Sequence, residues 1–351
     1  LETTITPITV HKRVPLTISR GTSAGSTNWW VRIRADGIEG WGEATPFSIG
    51  DRTQTADKIA ADLQTIQPLL QTHHPCDRQR LTPHLNRLGS AARAAVDVAL
   101  HDWLGKRAGL PLWQLWGLDR DTIGPTAVTV GINTPTAACD RLQRWQQQVP
   151  DLKSIKIKLG NPAGIAADQA MMTALLNSIE PGIKISVDAN GGWSLTDALA
   201  MADWLAARRV TYLEQPLAVT DDARLGELSA RSPLPIFVDE SCFTSQDIPP
   251  LADQVQGINI KLMKSGGLSE ALRMIHTARA CGLQVMFGCY SDTALSNTAL
   301  AHLAPLADHL DLDSHLNLRN DPFQGASLTH GCLMPSDQPG LGITYHEPPH
   351  P

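Results

Sequence analysis

The run Ser154-Ile-Lys-Ile-Lys-Leu-Gly160 decides how this chain is read. Basic and apolar residues alternate with a period of two, so the segment reads as a β-strand carrying Lys156 and Lys158 on one face. Three further apolar segments close on carboxylates: Ile185-Ser-Val-Asp188, Tyr212-Leu-Glu214 and Ile236-Phe-Val-Asp239. The next, Gly257-Ile-Asn-Ile-Lys261, closes on another lysine. Parallel barrels place their active sites at the C-terminal ends of their strands, so acids and ammonium groups are expected to meet on one rim.

Outward from this series, short β-branched strands alternate with helices from about Thr126, roughly every 25 residues, which is the βα rhythm of a parallel sheet. Strands are expected near 127–131, 154–159, 183–188, 210–214, 236–239, 257–261, 284–287 and 309–313, with helices such as 165–178, 195–207 and 268–281 between them. Eight parallel strands close a barrel, and the absence of GxGxxG after an early strand argues against an open doubly wound sheet.

Residues 2–45 have a different grammar. Trp29-Trp-Val-Arg-Ile-Arg34 turns through Asp36-Gly37 into Ile38-Glu-Gly-Trp-Gly-Glu43, which predicts antiparallel hairpins. Helical periodicity follows, strongest over 91–106, where Ala95, Val96, Ala99, Leu100, Trp103 and Leu104 share a face, and Gly109-Leu-Pro111 ends it. The expected fold is therefore α/β: a (β/α)8 TIM-type barrel with an N-terminal α+β capping domain. Its divisions are a capping domain at 1–124, with lid loops near 18–26 and 46–52, a catalytic barrel at 125–320, and a segment at 321–351 packing back on the capping domain.

Composition narrows the function. Of 351 residues 42% are apolar and 18% charged, a globular balance, and the net charge of -6 is not gathered into blocks, which argues against a nucleic-acid partner. No apolar run approaches the roughly 18–20 residues of a membrane span, and Leu1-Glu-Thr-Thr-Ile5 has no signal-like pattern, so a cytoplasmic protein without a membrane partner is expected. Six cysteines without CxxC or zinc-like histidine spacing read as reduced packing thiols, Cys289 among them.

Three carboxylates brought together by adjacent strands repel unless a cation neutralises them. One such aspartate would read as a helix N-cap; three at consecutive strand ends, all oxygen donors, favour octahedral Mg²⁺, one per subunit. Lys158 on the second strand and Lys261 on the sixth then face each other across a substrate. Neighbouring cations lower a lysine's proton affinity, so one can act as a neutral base while the other serves as acid. Lys156 reads either as a supporting group or as a salt-bridge partner of the acids. The chemistry expected is proton abstraction beside a carboxylate or carbonyl, with inversion at carbon when the proton returns on the other face.

Lys156-Ile-Lys158, Asp188-Ala-Asn190, Glu214-Gln-Pro216, Asp239-Glu-Ser241 and Asn259-Ile-Lys-Leu-Met-Lys-Ser-Gly-Gly267, with Gly40-Trp-Gly-Glu-Ala44 and Ala92-Arg-Ala-Ala-Val-Asp97 before them, resemble the muconate-lactonizing-enzyme subgroup of the enolase superfamily. The resemblance implies that Asp188, Glu214 and Asp239 ligate Mg²⁺, that Lys158 and Lys261 are the acid/base pair, and that Lys156, Asn190 and Glu240 support them. Lys264 matches the motif without a catalytic role. His309-Leu-Asp-Leu-Asp313 looks like the signature of dipeptide epimerases, in which two such acids hold the substrate's α-ammonium; alternate residues face one pocket, and paired carboxylates there call for a cation. Helix capping is the plainer alternative, mainly for Asp313.

The implied activity is a Mg²⁺-dependent dipeptide epimerase inverting the C-terminal residue's α-carbon by two-base proton transfer through a metal-stabilised enolate. o-Succinylbenzoate synthase and N-acylamino acid racemase are the alternatives. The partner is a dipeptide, and a homo-oligomer is compatible with the chain. By resemblance to Ala-Glu epimerases, Arg20 beside the first loop would meet an acidic substrate side chain; the other reading is a solvated loop charge. Thr129, Ser291 and Asp292 are further pocket candidates. Ala-Glu, cationic and hydrophobic dipeptides all remain compatible with the loops.

Overall fold

Asp36 and Gly37 both take left-handed backbone, φ 51° and 75°, the conformation a two-residue hairpin turn needs. In the computed structural model, which describes residues 1–347, they join β2 (Gly21–Ala35) to β3 (Ile38–Ala44), and β1 (Glu2–Ile18) pairs antiparallel on the other side of β2. Helices α1 (Ala56–Thr72), α2 (Arg78–Leu85), α3 (Ser90–Ala108) and α4 (Leu112–Leu115) follow. The glycines of Gly40-Trp41-Gly42 let α3 lie directly on β3: a Cβ at Gly40 would fall 2.1 Å from the Ala99 carbonyl oxygen, and one at Gly42 1.8 Å from that of Ala95. Gly109, at φ 71°, caps α3 where the sequence stops it.

The second unit runs β4 (Val128–Val130), α5 (Pro135–Gln148), β5 (Ser154–Lys158), α6 (Ile165–Leu176), β6 (Lys184–Asp188), α7 (Leu195–Ala206), β7 (Val210–Glu214), α8 (Leu225–Arg231) and β8 (Ile236–Val238). It continues with β9 (Gly257–Ile260), α9 (Leu262–Ser265), α10 (Leu268–Ala280), β10 (Gln284–Phe287), α11 (Ala294–Ala301) and β11 (His309–Leu310). These eight strands pair in sequence order, all parallel, and Ala127 N donates to the Leu310 carbonyl at 2.8 Å, so the last strand meets the first. The fold is thus a parallel α/β barrel beside an antiparallel capping sheet.

Two details refine the expected (β/α)8 pattern. The crossover from β8 to β9 is made of 3₁₀ turns, without an α-helix among the described residues. The eighth strand stops at Leu310, so Asp311 and Asp313 stand just beyond the sheet rather than in it.

After β11 the chain forms β12 (Phe323–Gln324), β13 (Ser327–Thr329), β14 (Cys332–Met334) and β15 (Thr344–Tyr345). Phe323 and Tyr345 pack on Trp30 and Trp41 of the first sheet, with ring centroids 4.9 to 5.7 Å apart, and Gly340 exchanges backbone hydrogen bonds with Leu110 and Leu112. Positions 348–351 of the expected C-terminal segment lie outside the described residues. Among the described residues no helix is long and apolar enough to cross a membrane.

Candidate active site

Parallel pairing sets the rim. Lys158 is the register partner of Asp188, and Asp188 of Glu214, while Asp239 and Lys261 each follow directly on β8 and β9. Lys158 Nζ lies 2.6 Å from Asp188 Oδ2, and Lys261 Nζ lies 2.8 Å from Asp239 Oδ2. Lys156 Nζ sits 2.6 Å from both Glu214 Oε2 and Asp311 Oδ2. The acids are no more than 1% exposed and Lys158 and Lys261 7% or less, so these charges act with little water to screen them.

Burial first, and then the neighbouring Asp188 and Asp239 carboxylates, push Glu214 up to about 7 despite Lys156. Burial would also raise Asp239, but Lys261 and Lys264 outweigh it and hold that carboxyl well below its usual range. The lowered proton affinity expected from neighbouring cations is not what surrounds Lys261. Burial does lower it, but Asp239, Tyr290 and Glu214 exceed that effect and hold the ammonium well above the ordinary lysine range.

The three acids lean on lysines, and among the described residues no three acidic, histidine or cysteine side chains form a closed metal cage. The donor set nevertheless fits a hard divalent ion. It is all oxygen and buried, Glu214 carries the mutual repulsion of its neighbours, and Glu214 Oε2 and Asp239 Oδ1 have no hydrogen-bond partner and only a lysine ammonium beside them.

Around this centre, Asn190 donates from its backbone N to Asp188 Oδ1 at 2.7 Å and from Nδ2 to Asp188 Oδ2 at 3.0 Å. The same Nδ2 reaches Glu240 Oε1 at 3.3 Å. The Arg20 guanidinium lies 2.6 Å from Glu240 Oε1 and donates to the Asn190 carbonyl at 2.7 Å, while the side chain stays 40% exposed.

Asp311 and Asp313 come together beside β4. Thr129 N donates to Asp313 Oδ2 at 2.7 Å and Thr129 Oγ1 to Asp311 Oδ1 at 3.3 Å. Asp311 is neutralised by Lys156, whereas Asp313 has no cation within ion-pair distance among the described residues, and burial and then Asp311 push it up to about 6. Capping does not account for the pair, because neither side chain caps the short 3₁₀ turn that follows. Both acids, with Thr129 and Lys158, line a cavity of about 230 Å³. A second cavity of about 730 Å³ lies under the loops of the first domain, lined by Ile18, Arg20, Phe47, Lys158, Lys261 and Ser291. Asp292 lines neither cavity; its Oδ2 accepts from Tyr290 N at 3.1 Å.

Further groups complete the site. Asn259 Nδ2 holds Glu214 Oε1 at 2.5 Å; its spacing of two from Lys261 was the signal that it shares that face of β9. Lys264 lies 2.6 Å from Asp239 Oδ1 as an ion pair and donates to the carbonyls of Cys242 and Asn259, which makes it a fastener of the loop after β8. Tyr290 places its ring 4.5 Å from Lys261 Nζ.

Fold and rim together define a capped barrel enzyme of enolase architecture. Residues 1–117 match the mandelate racemase / muconate lactonizing enzyme N-terminal domain, and residues 137–348 the enolase C-terminal domain-like family. The chain is 42% identical to a hydrophobic dipeptide epimerase of Flavobacteria bacterium (strain MS024-2A), over 97% of each chain. The substrate-liganded L-Ala-D/L-Glu epimerase of Bacillus subtilis superposes with a TM-score of 0.91 at 29% identity, covering 98% of both chains. The dipeptide epimerase of Enterococcus faecalis V583, complexed with Mg and the dipeptide L-Leu-L-Tyr, gives 0.90 at 29% identity, covering 98% of this chain and 99% of that one. This chain belongs to the mandelate racemase / muconate lactonizing enzyme family of the enolase superfamily. It is an enzyme of the isomerase class to which its named relatives belong.

Proposed function

We propose that the chain is a Mg²⁺-dependent dipeptide epimerase, with one ion per subunit, that inverts the α-carbon of the C-terminal residue. The observation that carries this reading is the position of Lys158. It shares the larger cavity with Lys261 and the smaller one with Asp311 and Asp313, so one substrate can lie between two amines while its far end reaches two carboxylates.

Mg²⁺ held by Asp188, Glu214 and Asp239 would supply fixed positive charge against the negative charge that builds up on the substrate carboxylate. The remaining work falls to the chain's own groups. An Asp239 carboxylate engaged by the ion would no longer hold the Lys261 ammonium charged. A neutral amine at Lys158 or Lys261 then takes the α-proton from one face, and the ammonium of the other returns a proton to the opposite face, reversal exchanging their roles. Asn190 and Asn259 keep the acids oriented. Asp311 and Asp313 hold the free α-ammonium, and Thr129 fixes both. o-Succinylbenzoate or an N-acylated amino acid would leave Asp313 with no cation to meet, which disfavours both alternatives.

The larger cavity suits an apolar C-terminal side chain. Ile18, Pro46, Phe47 and Tyr290 contribute apolar walls beside polar ones from Lys12, Ser23 and Gln54, and Arg20, on the same lining, pairs with Glu240. The family resemblance and the Mg–dipeptide complex of the Enterococcus faecalis relative support the same choice of ion and substrate class. The test is a library of L,L-dipeptides incubated with Mg²⁺ in D₂O. Deuterium should enter only at the C-terminal residue's α-carbon as the L,D-product forms, and uptake by N-acylamino acids alone would reverse the assignment.

A further inference from the structure

Lys12 is a buried cation that the reading above does not use. The pairing of β1 with β2 breaks between His11↔Gly25 and Leu16↔Ser23, so residues 12–15 face Ala24 alone. Such a bulge re-aims a side chain. This one is pinned from the far end of the chain: Arg13 Nε donates to the Leu318 carbonyl at 2.9 Å, Val14 N donates to Asn317 Oδ1 at 3.2 Å, and Asn317 Nδ2 donates back to the Val14 carbonyl at 2.8 Å.

The result is that Lys12, only 7% exposed, lines both cavities. Its ammonium donates to Ser23 Oγ at 2.9 Å and has no carboxylate within ion-pair distance among the described residues. A buried ammonium with one neutral partner is costly unless a further acceptor arrives. Burial lowers its proton affinity, and the more distant Cys289, Asp313 and Asp292 counter that effect.

The smaller cavity gathers more of the same charge. Half-buried Arg141, its guanidinium 3.9 Å from the Trp145 ring centroid, lines it without an ion pair among the described residues; Arg144, also on the lining, is exposed to solvent. Asp140, also on this lining, is exposed to solvent. The cavity therefore has two carboxylates, Asp311 and Asp313, together with two cations that have no ion pair among the described residues, Lys12 and Arg141. The α-ammonium of a substrate answers the first set; the second calls for a negative group on the same residue.

Resting on the dipeptide-epimerase reading, which leaves the N-terminal residue unassigned, we propose that the smaller cavity selects an acidic N-terminal side chain, with Lys12 as the residue that reads it and Arg141 assisting. A γ-carboxylate there would accept from Lys12 while the amino group of the same residue donates to Asp313, giving a charge-assisted pair at each end. A site built this way discriminates strongly against a side chain that cannot accept, because its own donors are then left buried and unpaired.

The experiment compares L-Glu-L-Leu, L-Met-L-Leu and L-Leu-L-Glu with the Mg²⁺-loaded enzyme, by kcat/KM and by calorimetric affinity. Wild type should favour L-Glu-L-Leu over L-Met-L-Leu by about tenfold or more, Lys12→Met should cut that ratio about tenfold, and Lys12→Arg should restore most of it. Arg141→Gln should reduce it less. An equal response to L-Glu-L-Leu and L-Met-L-Leu, a ratio unmoved in Lys12→Met, or a preference for L-Leu-L-Glu would each overturn the assignment. If no dipeptide is turned over, the epimerase reading fails instead, and the calorimetric ratios still decide whether the cavity prefers the acid.

Discussion

Lys156 and Asp311 form a buried ion pair, Nζ to Oδ2 2.6 Å, and the same ammonium lies 2.6 Å from Glu214 Oε2 on the metal side. One lysine thus joins the two ends of the site. Removing one partner of a buried pair leaves an uncompensated charge, so Lys156→Met should destabilise the fold by about 3–5 kcal/mol. Urea unfolding would measure it. Mg²⁺ affinity and kcat/KM should fall together in this variant, because Glu214 and Asp311 lose the same neighbour.

Asp313 offers a sharper test of substrate class. Asp313→Asn keeps shape and can still accept from Thr129 N, but it removes the charge that awaits an α-ammonium. Epimerisation of free dipeptides should fall by about 10²-fold in kcat/KM, with the loss mainly in KM. Steady-state polarimetry over a dipeptide concentration series would show it; a change of less than twofold would return the pair to a structural role.

Glu43, buried where the capping sheet meets the barrel, is expected to make stability depend on pH. At the end of β3 it accepts from Asn28 Nδ2 and Thr293 Oγ1, both at 2.8 Å, and burial, reinforced by Asp292, pushes it up to about 8. Between its unfolded value near 4.5 and about 8 the folded state binds more protons than the unfolded one. Its contribution to stability is therefore present in full below about 4.5 and is lost as pH rises toward 8. Urea midpoints from pH 5 to 8 should decline more steeply for wild type than for Glu43→Gln, which cannot ionise. Parallel curves would contradict this.

What could be read from the chain, and what could not, divides along the reach of the interactions. Lys156, Lys158, Asp188, Glu214, Asp239 and Lys261 are legible because strand alternation and strand ends are local patterns, and a parallel barrel converts them into one rim. The partners of Arg20, Asn190 and Glu240, lie on other strands' loops, and nothing near residue 20 announces them. Lys12 was invisible for the same reason. A bulge held by residues 317 and 318 turns it inward, and those contacts span some three hundred residues of chain. Glu43 belongs to the recognised Gly40-Trp-Gly-Glu-Ala44 stretch, yet its contact with Thr293 appears only when the cap meets the barrel. Lys261 shows the limit of counting like charges: the nearest charged group is a carboxylate at 2.8 Å, and it decides the local balance.

The central claim is that Lys158 and Lys261 serve opposite faces of one α-carbon, and single-lysine variants test it most directly. Lys158→Ala and Lys261→Ala should each lower epimerisation by about 10³-fold or more, a loss typical of removing a positioned acid or base. Followed by ¹H NMR in D₂O with separate L,L- and L,D-dipeptides, each variant should still exchange the α-proton of one diastereomer only, and the two variants should retain opposite ones. Exchange of the same diastereomer by both variants, or wild-type epimerisation by either, would contradict the account.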